Sequence, residues 1–163
     1  MTTDATIDPA LDLVLERFVD VPTHLVWRAW TEPEHLKVWF TPAPWSTVRC
    51  TIDLRPGGEF RTVMRSPEGK EVDEGAGCIL EVALNRRLAW TSALGPAYRP
   101  LLARPEGMPF SAVITMTPRG DGTDYRALVR HADPAGRERH EEMGFHDGWG
   151  AALDQLVAHA KTM

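Results

Sequence analysis

Cysteine is scarce in this sequence, which has only Cys50 and Cys78 among its 163 residues. Their spacing excludes a C-x-x-C redox or zinc motif. Two cysteines in different segments could form a disulfide, but a cytoplasmic chain keeps such thiols reduced. We therefore interpret both as free thiols of the hydrophobic core.

Long apolar runs and surplus positive charge are also missing. The start of the chain, residues 1–13, is acidic and lacks the basic and apolar regions of a signal peptide, and no later run reaches membrane-spanning length. We therefore expect a cytoplasmic protein that does not enter a membrane. The net charge is -5 and no segment clusters Lys and Arg, which argues against nucleic acid as a partner.

Motifs of enzyme machinery are equally sparse. No nucleophile elbow, G-x-G-x-x-G or phosphate loop occurs, and the glycines at 57–58 and at 120 and 122 are typical of turns. Gly144 stands where H-E-x-x-H, begun at His140, would need its second histidine, so the metalloprotease motif is excluded. The sequence predicts no catalytic residue, no metal site and no cofactor.

The hydrophobic pattern that is present predicts one compact domain over residues 11–163, after a disordered lead over residues 1–10. A first strand alternates at Leu11, Leu13 and Leu15, and two short helices follow, separated at Glu32 and Pro33. About six more strands are joined by tight turns, and Gly75 and Gly77 predict a bulge or close backbone approach in the third. The proline-rich segment 95–109 is interpreted as a covering loop or lid.

A long final helix completes the pattern. Asp133 as N-cap and Pro134 at the first helical position predict its start, and one helix of roughly 26 residues would span about 39 Å. Strands linked by hairpins, with the helices grouped on one face, define an α+β arrangement.

Five stretches carry a family resemblance: VPTHLVWRAWTEPEHLKVWF, IDLRPGGEFRTVMRSPEGKE, GCILEV, RRLAWT and HEEMGFHDGWGAALDQL. Together they resemble the helix-grip fold of the START-like, or SRPBCC, superfamily, and more closely the family named after the activator of the heat-shock-protein-90 ATPase. Where many relatives have two tryptophans followed by Gly-Pro, this chain has Trp39, Phe40, Thr41 and Pro42.

The resemblance implies a curved antiparallel sheet of about seven strands wrapped around a long C-terminal helix, with a cavity between them. It leaves function open, because the superfamily includes lipid carriers, hormone receptors, cyclases and chaperone activators. The eukaryotic chaperone activator has a separate N-terminal domain for much of its chaperone contact, whereas about ten polar residues precede the first strand here. Chaperone contact is therefore the less favoured partner.

Helical geometry suggests which residues of the final segment face the sheet. At about 100° per residue, Phe145, Trp149, Leu153 and Leu156 share one face with Glu142 in its middle and His146 at its edge, while His140 lies opposite. A buried carboxylate needs hydrogen bonds, a cation or water. Glu142 is therefore the polar end of a pocket, a salt-bridge partner of Arg126 or Arg130, or simply exposed because the start of the helix frays.

The main hypothesis is a binding protein for a small apolar or aromatic molecule held between the final helix and the sheet. Its ligand-binding residues would be aromatic, Met and carboxylate or imidazole side chains: Trp39, Trp45, Met64, Glu74, Trp90, Tyr98, Glu142, His146 and Trp149.

Three alternatives stay open at this point. One is a cyclase- or hydrolase-like enzyme with Glu142 and His146 as acid and base. Another is a metal site formed by Glu142, His146 and His131. The third is a chaperone-interacting module. The remaining histidines, His24, His35 and His159, are interpreted as solvent-exposed, and both a monomer and a homodimer are compatible with the sequence.

Overall fold

The computed structural model describes residues 6–105 and 107–163. The elements in chain order are β1 (Asp12–Val19), α1 (Thr23–Thr31), α2 (Pro33–Trp39), β2 (Ser46–Ile52), β3 (Glu59–Arg65), β4 (Glu71–Asp73), β5 (Gly77–Ala83), β6 (Arg87–Thr91), β7 (Leu94–Gly95), β8 (Arg99–Pro100), β9 (Phe110–Arg119), β10 (Gly122–His131), α3 (Pro134–Glu142) and α4 (Phe145–Ala160). A single 3-10 turn, Pro96–Tyr98, lies between β7 and β8.

Seven strands form a curved antiparallel sheet in the order β1-β10-β9-β6-β5-β3-β2, with β4 added beside β3. The helices α1 and α2 connect the two edge strands, β1 and β2. The apolar face of α4 packs into the core through Phe145, Leu153 and Leu156, each at most 1% exposed. The predicted α+β helix-grip fold, with about seven strands, is confirmed.

Glycines shape the strands where the sequence predicted an irregularity. Gly75 has φ +92° and separates β4 from β5, so the predicted third strand is two strands. A Cβ on Gly77 would lie 2.6 Å from the Thr91 carbonyl oxygen, which is closer than any side chain tolerates. The predicted close approach at Gly77 is confirmed, and it lets β5 and β6 pair tightly.

The two short helices near the start are also as predicted. Glu32 has an extended backbone and Pro33 begins α2, because proline's missing N–H is not needed at the first helical position. Gln155 on α4 then holds the loop after α2: its Nε2 donates to the Trp39 and Thr41 carbonyls at 2.9 Å each, and its Oε1 accepts from Ala43 N at 2.9 Å.

The prediction of one continuous C-terminal helix is wrong. The helix starts as predicted, because Asp133 accepts a hydrogen bond from Gly136 N at 2.7 Å and Pro134 follows it. It stops at Glu142, however, and Gly144 has φ +91°, a left-handed conformation that glycine adopts without strain. The segment is therefore two helices, α3 and α4, and helical angles cannot be carried across Gly144.

Part of the predicted disordered lead is a turn. Residues 1–5 lie outside the described residues. At Asp8, the backbone N–H donates to Asp12 Oδ2 at 2.8 Å, and the Asp8 carbonyl accepts from Leu11 and Asp12. These bonds place a hydrogen-bonded turn directly before β1.

The segment predicted as a lid is attached to the fold at two polar points. Arg104 Nη2 reaches the Glu74 carbonyl at 3.5 Å, and Arg139 Nη2 on α3 donates to the Gly107 carbonyl at 2.8 Å. Residue 106 lies outside the described residues. The segment therefore bridges the β4–β5 connection and α3.

Both cysteines are free thiols in the structure. Cys78 is fully buried on β5, and Cys50 is half-buried on β2. Burial raises the pKa of the Cys50 thiol to about 11, so the thiolate is not formed at neutral pH. This agrees with the predicted role as core residues. Among the described residues, no helix is long and apolar enough to cross a membrane.

Candidate functional site

A continuous run of aromatic rings lies between the sheet and the C-terminal helices. Trp90 on β6 stacks on Phe60 of β3 with centroids 4.5 Å apart, and it contacts Phe110 of β9 at 5.5 Å. Phe110 in turn meets Trp149 of α4 at 6.2 Å in an edge-to-face arrangement. Aromatic pairs of this geometry contribute beyond the area that they bury.

The run continues toward α2. Phe40, just after that helix, lies 6.4 Å from Trp90 and 5.7 Å from Trp39. We call the six residues Trp39, Phe40, Phe60, Trp90, Phe110 and Trp149 the aromatic cluster. Its members come from α2 and the residue after it, β3, β6, β9 and α4, so the fold itself assembles them.

Burial divides the aromatic cluster into a floor and a rim. Trp39, Phe60 and Trp90 are between 3% and 6% exposed, whereas Phe40, Phe110 and Trp149 are only partly buried. Half-buried rings on the rim are accessible to an apolar molecule, and the buried rings beneath them would form the base of its binding site.

The indole of Trp90 has an unsatisfied N–H. Its Nε1 is fully buried and has no hydrogen-bond partner among the described residues. Three other buried side-chain atoms also lack a hydrogen bond, but each has an ion-pair partner within 3.5 Å: Asp12 with Arg130, Arg87 with Glu81, and Arg126 with Glu16. Trp90 is therefore the exception, because a buried donor without an acceptor costs about 1–3 kcal/mol.

Two other buried indoles have a hydrogen-bond acceptor for their N–H groups. Trp30 Nε1 donates to the Tyr125 hydroxyl at 3.1 Å, and Trp39 Nε1 donates to the Ala29 carbonyl at 2.9 Å. Both N–H groups are thus used to fix the helices. The Trp90 N–H, by contrast, has no acceptor among the described residues.

A pair of buried histidines adjoins the aromatic cluster. His131 ends β10, His140 lies on α3, and His131 Nε2 is 2.9 Å from His140 Nδ1. His131 Nδ1 is also 2.9 Å from the Leu11 carbonyl oxygen. The two side chains are 7% and 8% exposed, and the His140 ring lies 5.2 Å from Phe110.

The imidazole of His140 is uncharged at neutral pH. Burial, together with the neighbouring His131, lowers the pKa of His140 to about 4. A desolvated cation is costly and a second imidazole offers no negative charge to offset it. The site therefore has polar atoms but no positive charge at this position.

The structure brings three of the predicted ligand-binding residues together. Trp39, Trp90 and Trp149 all belong to the aromatic cluster. Met64 is half-buried and lies four residues beyond Phe60 on the same face of β3, because side chains alternate along a strand.

Three other predicted residues lie elsewhere. Trp45 is 38% exposed before β2, and the Glu74 side chain is exposed in the connection after β4. Tyr98 is 49% exposed and covers Gly57, beside an open cleft of about 370 Å³ lined by Asp53, Arg55, Glu59 and the 3-10 turn. This cleft is open and has three charged residues in its lining, and it lies away from the aromatic cluster.

The prediction that Glu142 and His146 face inward is wrong. Both side chains are exposed, and they stand on different helices on either side of Gly144. His140, predicted to lie opposite the buried face, is buried instead. The acid–base pair and the pocket role inferred for Glu142 and His146 both required inward side chains, and these residues do not have them.

The postulated metal site is not assembled either. His131 is buried against His140, while Glu142 and His146 point to solvent. Among residues 6–105 and 107–163, no three His, Cys, Asp or Glu side chains are close enough to hold a metal ion. The predicted salt bridges of Glu142 also fail: Arg126 pairs with Glu16, and Arg130 with Asp12.

Sequence reasoning missed four residues of the site, Phe40, Phe60, Phe110 and His140, and considered His131 only as a metal ligand. A signal existed for Phe110, which alternates with the apolar Ala112, Ile114 and Met116 along β9. For His140 the available signal was Gly144, whose left-handed conformation ends α3 and breaks the helical phase. We find no sequence signal for the contact between His131 and His140.

Together, the wrapped sheet and the aromatic cluster beneath α4 define a START-like domain of the helix-grip class. Within this class, the family model of Activator of Hsp90 ATPase homolog 1-like protein matches residues 20–161. The chain belongs to this family, which confirms the predicted resemblance.

Solved structures agree with this assignment. A crystal structure of a Nitrosomonas europaea protein is 51% identical, covers 96% of this chain and 97% of its own, and has a TM-score of 0.90. A solution structure from Arthrobacter aurescens (19% identity, 100% and 94% coverage, TM-score 0.81) and a protein of unknown function from Staphylococcus aureus (19%, 93% and 94%, 0.70) share the fold. No functionally curated protein matches the chain.

Proposed function

We propose that this chain is a cytoplasmic START-like domain that binds a small apolar or aromatic molecule between the sheet and the C-terminal helices. The site would be the aromatic cluster, with Trp90 and Phe60 as its floor and Trp149, Phe110 and Phe40 as its rim. Met64 would extend the apolar wall along β3.

The observation that carries this proposal is the buried, unpartnered N–H of Trp90. A packed core gains nothing from a donor without an acceptor, whereas an apolar site with a few polar groups uses them to orient a ligand. The partly buried rim supports the same interpretation, since half-exposed aromatic rings leave apolar surface for a ligand to cover.

Native mass spectrometry of freshly purified protein is the direct test, because a retained molecule would be detected by its mass. A matched panel of probes serves as the second test: naphthalene, 2-methoxynaphthalene, 2-naphthol and 2-naphthoate, each titrated by calorimetry and by thermal melting. Binding with a stoichiometry of one, and a rise in Tm, would support the proposal. A protein that retains no molecule and binds none of the four probes would contradict it.

Trp90→Phe tests the carrying observation. The variant keeps an aromatic ring and removes the unsatisfied donor, which partly offsets the lost packing. We expect its free energy of unfolding to be at most about 1 kcal/mol below that of the wild type. Trp30→Phe is the matched control, because it removes the same atoms and also breaks the hydrogen bond to Tyr125.

We expect Trp30→Phe to destabilise the protein by about 1–2 kcal/mol more than Trp90→Phe in urea unfolding. In contrast, Trp90→Phe should weaken the binding of 2-methoxynaphthalene, whose oxygen can accept from Nε1, more than the binding of naphthalene. Equal stability losses and an unchanged ratio of affinities would show that the Trp90 N–H has no part in binding.

A further inference from the structure

The hydrogen bonds of the two buried histidines fix the position of each proton. A carbonyl oxygen only accepts, so the 2.9 Å contact with Leu11 requires the proton of His131 on Nδ1. With one proton on each ring, the lone pair of His131 is on Nε2, which accepts from His140 Nδ1 at 2.9 Å. Neutral His140 consequently has its own lone pair on Nε2.

This last lone pair has no hydrogen-bond donor recorded among residues 6–105 and 107–163. His140 Nε2 is not one of the fully buried polar atoms, so a molecule from solvent can reach it. With Nδ1 aimed at His131, Nε2 is aimed away from it, and the other rings around His140 are Phe110 at 5.2 Å, Phe145 at 5.2 Å and Trp149 at 6.3 Å. Two of these three belong to the aromatic cluster.

The site thus has one polar group of each kind. Trp90 Nε1 is a donor without an acceptor, and His140 Nε2 is an acceptor without a donor. Phe110 contacts both rings, with centroid distances of 5.5 Å to Trp90 and 5.2 Å to His140. The two observations are independent, because one residue lies on β6 and the other on α3.

We propose that His140 Nε2 accepts a hydrogen bond from a hydroxyl group of the ligand, so that the site selects neutral, hydroxyl-bearing aromatic molecules over carboxylates. The inference rests on the proposed function and names its ligand class. A hydroxyl supplies the proton that the lone pair needs. An ionised carboxylate could accept from Trp90 Nε1 but has no proton for His140 Nε2, and it must also lose its water. An ether fills the same volume but has no proton to donate.

The four naphthalene probes distinguish these cases, since they share one ring system. We expect 2-naphthol to bind roughly 3–10-fold more tightly than 2-methoxynaphthalene, which corresponds to one net hydrogen bond. We expect 2-naphthoate to bind more weakly than either. In His140→Phe the ratio of the 2-naphthol and 2-methoxynaphthalene affinities should fall to about one, while His159→Phe, which alters a histidine outside the aromatic cluster, should keep the ratio.

Nitrogen-resolved NMR of the wild-type imidazoles gives a measurement that does not depend on a variant's folding. At pH 7.5 we expect a proton on His140 Nδ1, none on Nε2, and a change of the Nε2 resonance when 2-naphthol is added but not when naphthalene is added. A proton on Nε2, or equal affinity of the alcohol and the ether, would overturn the proposal. Such a result would leave ligand binding itself intact, whereas the failure of all four probes would contradict the proposed function.

Discussion

Two histidine pairs attach the C-terminal helices to the rest of the fold, and they differ mainly in burial. His131 and His140 connect β10 with α3, and His35 and His159 connect α2 with the end of α4. The N···N distance is 2.9 Å in both. The first pair is at most 8% exposed, whereas both members of the second are only partly buried.

The difference shows that the same contact between two histidines has different properties in a partly buried and in a buried position. The partly buried pair has solvent and a carboxylate nearby, since Glu32 Oε1 lies 3.7 Å from His35 Nε2; the prediction that His35 and His159 are solvent-exposed is therefore wrong. Among the described residues no carboxylate pairs with the buried histidines, and the Leu11 carbonyl places the proton of His131 on Nδ1. Burial thus gives the hydrogen bond between the two histidines a defined direction from donor to acceptor.

His131→Ala should produce the largest difference between the pairs. Removal of His131 leaves the His140 Nδ1 donor without an acceptor and opens a cavity, so we expect a loss of about 3 kcal/mol in the free energy of unfolding. His35→Ala, the matched control, should cost less than about 1 kcal/mol because water replaces the lost contact. Urea unfolding measures both, and equal losses would show that burial does not distinguish the pairs.

The second-largest effect should come from acid, which lowers the free energy of unfolding by protonating His140. The pKa of His140 is lowered to about 4, below the value of about 6.5 in an unfolded chain, so the fold favours the neutral form. This contribution is complete above pH 6.5 and is lost as the pH falls toward 4. We expect the free energy of unfolding to drop by about 1–2 kcal/mol between pH 7 and pH 5 from this group.

The charged groups around His140 are engaged with one another: Arg137 pairs with Glu141, and Asp12 with Arg130. His140→Phe should therefore flatten the pH profile, and His159→Phe should keep most of it. The pKa of His159 is also lowered, by burial and by His35, so its removal should reduce the slope slightly. A profile unchanged by His140→Phe would contradict the assignment.

The smallest effect is expected at Gly144, the joint between α3, which contains His140, and α4, which contains His159. Gly144→Ala places a side chain at φ +91°, and we expect a loss of about 1 kcal/mol. Gly148→Ala, within α4, is the matched control: its Cβ would meet nothing within 4 Å, and alanine favours the helix, so stability should rise by up to about 1 kcal/mol. Chemical denaturation of both variants tests this, and a loss in both would mean that the conformation of Gly144 is not the cause.

The fold could be predicted from the sequence because its signals are local. Alternation marked the strands, Pro33 and Asp133 marked helix starts, and Gly77 marked a close approach. The candidate site was predicted only in part. Trp39, Trp90 and Trp149 were found because aromatic side chains on apolar faces turn inward.

The inward position of His140 was missed, because it depends on a change of helix direction at Gly144 that the prediction of one continuous helix left out. A helical angle is meaningful only within one helix, and the error of a continuous helix reversed the positions of His140 and Glu142. The bond between His131 and His140 joins a strand to a helix, and no periodicity encodes such a contact.

The joint at Gly144 has a consequence for how such a domain can diverge. His140 stands before it, and the residues that attach α4 to the sheet, Leu153 and Leu156, stand after it. A residue gained or lost at the joint would re-aim His140 relative to Trp149 and leave α4 in place. If His140 selects the ligand as proposed, a descendant protein could change its ligand preference by altering the length of this one connection, while the packing of Leu153 and Leu156 is kept.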